Sequence, residues 1–385
     1  MSIHTPPSAF TQSLQPFQCS NCGRTQSLDF PGWKCPVCGS LLNLSQPASF
    51  DPQQVDTRAI GIWRYRHTFP LPDDVEPVTL GEGNTPLVPI NLDGRTVYFK
   101  HEGLNPTGSF KDRGMAVMFA ALKAVGVKEA IEDSSGNAGA SFAGYAARAG
   151  LRARVFVPAA ASGPKRKQIE MYGAEIVAVD GPRSKAAEAA LAAAESGAYY
   201  ASHVYNPLGL AGNATAAYEI WEQLGHAPEH IVLPVGHGSL LLGLHRGFQA
   251  LKEANLIDRL PKLIGVQAMA CAPLWAVHNY GGQGLQWVTE GETVAEGIKV
   301  FRPLRGDFVL AAIRESGGSV LAVEEDAILP GRNALARLGL YVEPTCGVVW
   351  EALKQVAGEV VVILTATGLK SQAIASKASP PSPLS

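Results

Sequence analysis

Lys111 stands in the run Asn105-Pro-Thr-Gly-Ser-Phe-Lys-Asp-Arg-Gly114, after an apolar strand-like stretch (Val97-Tyr98-Phe99) and before the helix-like Met115–Val125. A lysine amine at such a loop-to-helix junction is partly desolvated. Desolvation disfavours the ammonium and brings the neutral amine within reach of imine chemistry with an aldehyde. A lone lysine here is more often a solvated helix start, so its chemistry depends on what the other segments offer.

Three further segments follow strand-like runs. Ser134-Ser135-Gly136-Asn137-Ala138-Gly139 follows Ala130–Asp133 and opens an Ala-rich helix. Its backbone N–H groups and hydroxyls suit a carboxylate, although an ordinary N-cap reads the same way. Gly236-His237-Gly238-Ser239-Leu240 follows Ile231–Val235 and precedes a helix, which suits a phosphate. It lacks the lysine of a P-loop, and the strand Leu263–Gln267 does not end in the acidic residue a dinucleotide site wants. His237 is given no proton-transfer role. Thr367, just past the apolar run Val360–Leu364, offers a neutral hydroxyl to a heteroaromatic nitrogen, or else merely ends the strand.

Four of the six cysteines form two pairs, Cys19-x-x-Cys22 and Cys35-x-x-Cys38, each followed by glycine. Two tight turns aiming four thiolates at one point suit tetrahedral zinc, with bonds of about 2.3 Å. Four thiolates close the shell, so the site is structural. Disulfides are the alternative, and a chain without a visible secretory signal disfavours them. Only Arg24 and Lys34 lie as cations between the outer cysteines, which argues against nucleic acid. Cys271 and Cys346 sit in apolar surroundings and read as core.

These segments need a scaffold of some size. The chain has 385 residues, 46% hydrophobic and 17% charged, with a formal net charge of −2. That composition predicts a soluble protein of two lobes and gives no reason to expect a nucleic-acid or membrane partner. No apolar run reaches the roughly 18 residues of a spanning helix, and the cytoplasm is the expected compartment. The ribbon occupies residues 15–45, and a connector with the anchors Trp63, Tyr65 and Phe69 occupies 46–78. The body covers 79–375, with a smaller lobe at about 112–205. Residues 1–14 and 376–385 read as tails, the latter disordered.

Strands are predicted at Val97–Lys100, Ala130–Asp133, Ala153–Val157, Glu175–Val179, Ile231–Val235, Leu263–Gln267 and Val360–Leu364. Helices are predicted at Gly114–Val125, Ala138–Ala149, Lys165–Tyr172, Ser184–Glu195, Thr215–Leu224, Ser239–Glu253 and Ile328–Arg337. Continuous apolar strands alternating with helices predict an α/β fold whose parallel sheets are covered on both faces. Ligands are then expected beyond the carboxyl ends of the strands.

An amine, a carboxylate cradle, a phosphate cradle and a neutral hydroxyl for a ring nitrogen are together what pyridoxal phosphate and an amino acid require. From about residue 80 to 370 the chain resembles the fold-type II pyridoxal-phosphate enzymes of the tryptophan synthase β-like group, and threonine synthases most closely. The resemblance rests on Gly81-Glu-Gly-Asn-Thr-Pro-Leu87, Asn105–Gly114, Ser134–Asn137, Gly236–Ser239, Glu343-Pro-Thr345 and Thr367-Gly-Leu-Lys370. It implies that Lys111 carries the cofactor as an internal aldimine and moves the Cα proton. It further implies that Asn137 binds the cofactor's 3′-oxygen, that Gly236, His237, Gly238, Ser239 and Leu240 form the phosphate loop, and that Thr367 faces the pyridine nitrogen. Substrate contacts fall to Thr85, Ser135, Gly136 and Lys165. The activity implied is elimination and replacement on an O-phosphohomoserine-like amino acid, in a homodimer.

Two segments depart from the family. Asn206-Pro-Leu-Gly-Leu-Ala-Gly-Asn213 carries no cation where a basic residue commonly serves the substrate phosphate, and Thr293–Val300 looks more like threonine and serine dehydratases. The alternatives are therefore a dehydratase or β-replacement enzyme acting on serine, threonine or an O-activated serine. A third is a non-catalytic protein whose ribbon binds a partner.

Overall fold

In this computed structural model residues 14–371 are described, so the segments 1–13 and 372–385, with nearly all of the first expected tail and all of the second, lie outside the described residues. The chain starts with a three-stranded antiparallel ribbon in the order β2-β1-β3, made of β1 (Phe17–Cys19), β2 (Thr25–Gln26) and β3 (Leu42–Leu44). The connector follows as two short 3₁₀ segments. Its aromatic anchors are buried: Trp63 donates to Glu82 at 3.1 Å, and Tyr65 donates to Glu222 at 2.8 Å.

The body begins with a hairpin, β4 (Leu87–Leu92) and β5 (Arg95–His101). Its two-residue turn, Asp93-Gly94, has φ of +52° and +81°, as a turn matched to strand twist requires. Helix α1 (Lys111–Ala124) leads into a four-stranded parallel sheet ordered β8-β7-β6-β9. Its strands are β6 (Glu129–Glu132), β7 (Arg152–Pro158), β8 (Glu175–Val179) and β9 (Tyr199–Tyr200), and its connecting helices are α2 (Asn137–Ala149), α3 (Pro164–Met171) and α4 (Arg183–Glu195).

Helix α5 (Leu208–Leu224) returns the chain to a six-stranded sheet ordered β12-β11-β10-β13-β5-β4. This adds β10 (His230–Pro234), β11 (Lys262–Ala268), β12 (Ser319–Val323) and β13 (Val360–Leu364), with helices α6 (Ser239–Glu253), α7 (Pro273–Tyr280), α8 (Gly306–Glu315), α9 (Glu325–Arg337) and α10 (Val348–Leu353). All pairs in it are parallel except β4 with β5. All five residues of β13 are buried, because helices cover both faces of the sheet there.

The seven expected strands and seven expected helices are all present. Two departures have physical causes. Pro89 hides β4, and an edge strand tolerates a proline because half of its backbone pairs with nothing. Helix α5 starts at Leu208 rather than Thr215, because Gly209 and Gly212 are not breakers here but crossing points. A Cβ on Gly212 would lie 1.9 Å from the Arg113 carbonyl oxygen, and one on Gly114 would lie 3.0 Å from Gly209 Cα. In the body, the short strands β9 and β12 and helices α7, α8 and α10 also lie beyond the expected elements. The close crossing brings α1, and Lys111 at its start, against α5.

Candidate active site

The loop before Lys111 is stitched to the end of β13. Phe110 N–H donates to the Thr365 carbonyl at 3.1 Å, and Thr367 N–H donates to the Gly108 carbonyl at 3.0 Å. A side chain on Gly108 would meet Thr367 Cγ2 at 2.9 Å. The segment leading into Lys111 and the segment ending at Thr367, far apart in sequence, are thereby held together by backbone hydrogen bonds. The buried Asp112 carboxylate accepts from Thr107 N–H at 2.7 Å and from the Thr107 and Ser141 hydroxyls at 2.5 Å, which locks the loop to α2. Lys370 Nζ adds a bond to the Thr107 carbonyl at 2.6 Å.

Two residues past Lys111, Arg113 is fully buried in an ion cluster. Its guanidinium makes two bidentate pairs, to Glu102 (2.7 and 2.7 Å) and to Glu219 (2.7 and 2.8 Å). Lys100 Nζ reaches Glu219 at 2.7 Å and the Thr85 carbonyl at 2.7 Å. Burial alone would raise the Glu219 pKa, but Arg113 and Lys100 hold it well below the usual carboxylate range. This cluster joins β5, α1 and α5 at the base of the site. It also claims Thr85, whose hydroxyl donates to Glu102 at 2.8 Å and accepts from Arg113 at 3.1 Å. The expected substrate contact is thus already committed to the ion cluster.

The Lys111 amine has no hydrogen-bond partner among the described residues and lies 4.8 Å from the Phe110 ring. Burial pushes it down to about 8, the Glu132 carboxylate pulls the other way, and the Arg183 charge reinforces the drop. It lines a cleft with His203, Asn206, Asn213, Ser239 and Arg305. Both nearby imidazoles stay neutral. Burial lowers His203 and His237 well below the ordinary imidazole value, and His203 holds Glu132 through Nδ1 and its backbone N–H, both at 3.0 Å.

At the end of β6, Ser134 Oγ accepts from Gly136 N–H at 3.2 Å, and Asn137 opens α2. Asn137 Nδ2 lies 3.1 Å from both oxygens of Glu343, while its buried Oδ1 has no partner. Lys165 Nζ reaches the same carboxylate at 2.9 Å. Glu343 is therefore the junction between Asn137 and Lys165. It stands in one of the motifs above without a role, and no local pattern marks it, because its partners lie 206 and 178 residues away.

Gly238, with φ +83°, turns the chain into α6 so that the first-turn amides of this 15-residue helix are presented at Ser239. Val309 Cγ2 would stand only 2.2 Å from a Cβ on Gly238, so glycine is required there on two counts. Of the expected residues, Lys111 and Ser239 share the cleft, and Asn137 and Lys165 meet at Glu343. Ser135 and Gly136 lie between β6 and α2.

In the ribbon, the Sγ atoms of Cys19, Cys22, Cys35 and Cys38 lie within 4.8 Å of one another and none is disulfide-bonded. Gly23 and Gly39, both at φ +71°, close the two turns. Trp33 packs edge-on against Tyr200 at 5.9 Å, whose hydroxyl donates to Asp133 at 2.8 Å. No helix among the described residues is long and apolar enough to cross a membrane.

The donor set fits pyridoxal phosphate: a depressed, unbonded lysine amine, a helix N-terminus opened by a left-handed glycine, and the partnerless buried Ser109 Oγ and Asn137 Oδ1. Comparison with known proteins agrees. Residues 78–366 match the family model for pyridoxal-phosphate dependent enzymes, and the chain belongs to that family. The solved T.th. threonine deaminase superposes with a TM-score of 0.63 at 26% identity, covering 77% of this chain and 94% of its own. Maize serine racemase, at 21% identity and a TM-score of 0.64, shares the fold over 75% of this chain and 89% of its own.

Within the family the chain is a lyase of threonine synthase type. It is 33% identical to threonine synthase of Methanocaldococcus jannaschii over 94% of both chains. It is also 39% identical to that of Synechocystis sp. over 80% of this chain and 82% of the relative. These likenesses favour neither the dehydratase nor the non-catalytic alternative.

Proposed function

We propose that the cleft acts on an O-phosphohomoserine-like amino acid, breaking the Cγ–O bond to release phosphate and adding water at Cβ. The carrying observation is the Lys111 amine, depressed to about 8 and without a hydrogen-bond partner beside the α6 N-terminus. Lys111 would hold pyridoxal phosphate and then take and return the substrate proton at Cα. When bound, the cofactor supplies an electron sink for the charge that develops at Cα.

The chain's own groups do the positioning. Gly236, His237, Gly238, Ser239 and Leu240 would offer their amides to the cofactor phosphate at the positive end of α6. The Thr367 hydroxyl accepts from Leu369 N–H at 3.3 Å, so its proton remains to donate to a ring nitrogen. A threonine cannot protonate that nitrogen as an aspartate would, which favours elimination over transamination. Ser135 and Gly136 would receive the substrate carboxylate. Glu343 holds Asn137 Nδ2 and Lys165 Nζ on one side of the site, and to bind the cofactor's 3′-oxygen, an acceptor, Asn137 would turn that N–H away from Glu343.

A substrate panel tests this reading. Phosphate release from O-phosphohomoserine should exceed 2-oxoacid formation from threonine and serine by at least about 100-fold in kcat/KM, roughly 2.7 kcal/mol of transition-state discrimination. Oxoacid from threonine or serine as the dominant product would replace the proposal with a dehydratase.

In the ribbon the four thiolates would hold one structural zinc ion, with no open position for catalysis. Metal analysis should then find about one zinc per chain, lost in Cys22→Ser. Chelation should make the 19–38 segment sensitive to protease, because the metal contributes folding energy outright. Full protease resistance after complete metal removal would rule this out. A cytoplasmic homodimer completes the proposal.

A further inference from the structure

Beside Lys111, Arg305 is a second cation lining the cleft that has no carboxylate partner among the described residues. It is 3% exposed and lines the cleft with Lys111 and Ser239. Its guanidinium donates to the Leu42 and Tyr205 carbonyls, both at 2.9 Å, and to Asn43 Oδ1. All three acceptors are neutral, and no carboxylate pairs with it among the described residues. Buried charges are ordinarily paired, because an isolated one forfeits its hydration. Consistent with that, burial alone lowers its pKa to about 10.

Its position is also set from two sides. Arg305 caps α8, and Val309, one turn further on, is the residue packed against Gly238 at the phosphate loop. From the other side, β3 of the cysteine ribbon supplies two of the three acceptors. The ribbon thus orients a cation toward the cleft. His203 and His237 are neutral there, and the nearby carboxylate, Glu132, is occupied by His203.

We propose that Arg305, held by ribbon strand β3, binds a phosphate monoester in the Lys111 cleft, replacing the basic residue absent from 206–213. The proposal rests on the reading above of a phosphate-using site. Two phosphates could fill the role, the substrate's and the cofactor's, and the test separates them.

The full-length, zinc- and cofactor-loaded protein is compared with Arg305→Gln, Arg305→Lys and Asn43→Ala. Four quantities are read: KM for O-phosphohomoserine, calorimetric affinity for inorganic phosphate, the cofactor Kd from titration of the apo-protein, and Tm. Loss of a charge-assisted hydrogen bond should weaken phosphate binding about 10- to 100-fold in Arg305→Gln. Arg305→Lys should recover much of it. Asn43→Ala, which keeps the cation but frees it, should lose about 3- to 10-fold.

A raised KM with unchanged cofactor Kd identifies the substrate phosphate. A raised cofactor Kd with unchanged KM identifies the cofactor phosphate. Either outcome supports the proposal. A lowered Tm with all phosphate-dependent quantities unchanged makes Arg305 a strut between ribbon and body, and overturns it. Should Arg305→Gln not fold, Asn43→Ala decides alone, with a raised KM, cofactor Kd or phosphate Kd in support and all three unchanged against. Should the wild type not turn over O-phosphohomoserine, the substrate reading fails, while inorganic phosphate and cofactor affinities still report on Arg305.

Discussion

Lys111→Ala should leave a folded protein that takes on no visible absorption band with pyridoxal phosphate and has lost at least about 10³-fold in kcat. Only an amine can form the covalent link, and removing a positioned acid–base group typically costs about 10²- to 10⁴-fold by itself. The fold should survive, because the Lys111 amine hydrogen-bonds no described group and its neighbours Asp112 and Arg113 hold the start of α1 independently. A band that persists in the variant, or a wild type that stays colourless, would remove Lys111 from the chemistry.

The depressed amine adds a pH signature. With a folded value of about 8, roughly a tenth of the amine is neutral at pH 7, against under a thousandth for an ordinary lysine. Loading of the apo-protein should therefore speed up with pH and level off above about 8. The unfolded chain binds more protons than the folded one between about 8 and about 10.4, so folding stability gains with pH across that window. The wild-type apo-protein should show this gain relative to Lys111→Ala in melts run from about pH 7 to about pH 10.5. Parallel pH curves for the two proteins would contradict it.

Arg113→Leu should cost the fold about 3 to 5 kcal/mol, measured as a lowered urea midpoint at unchanged m-value. The cluster balances two cations, Arg113 and Lys100, against two carboxylates, Glu102 and Glu219. Without Arg113, two buried carboxylates face one lysine and lose four hydrogen bonds of 2.7–2.8 Å. Arg113→Lys should rescue only part of the loss, since a point charge cannot serve two bidentate partners. A loss under about 1 kcal/mol would mean the cluster relaxes or admits water. Because the cluster seats the first turn of α1, the cofactor affinity of any folded Arg113→Leu protein should fall as well.

Local pattern is enough for much of this molecule. The apolar run at Val360–Leu364 is a strand with the expected bounds, because a strand buried on both faces must be apolar throughout. The Asp93-Gly94 turn is a case where two local signals conflict. Its dipeptide is a strong hairpin signal, and Pro89 beside it argues against a strand. Gly209 and Gly212 show what local reasoning misjudges, since the reason for glycine there is another helix's backbone.

The sequence by itself determined the alternation of strands and helices, the lysine at a helix start, the glycine-led loop before α6 and the paired cysteines. Each depends on residues close to one another along the chain, where backbone preference and periodicity act. Only the tertiary structure decided that Glu343 joins Asn137 to Lys165, that Thr85 belongs to an ion cluster, and that the ribbon's Leu42 and Asn43 hold Arg305 at the cleft. Those contacts span 17 to 263 residues. They follow from which buried charge and donor must find a partner once the sheets have packed, and a buried charge takes its partner from whatever the fold brings near.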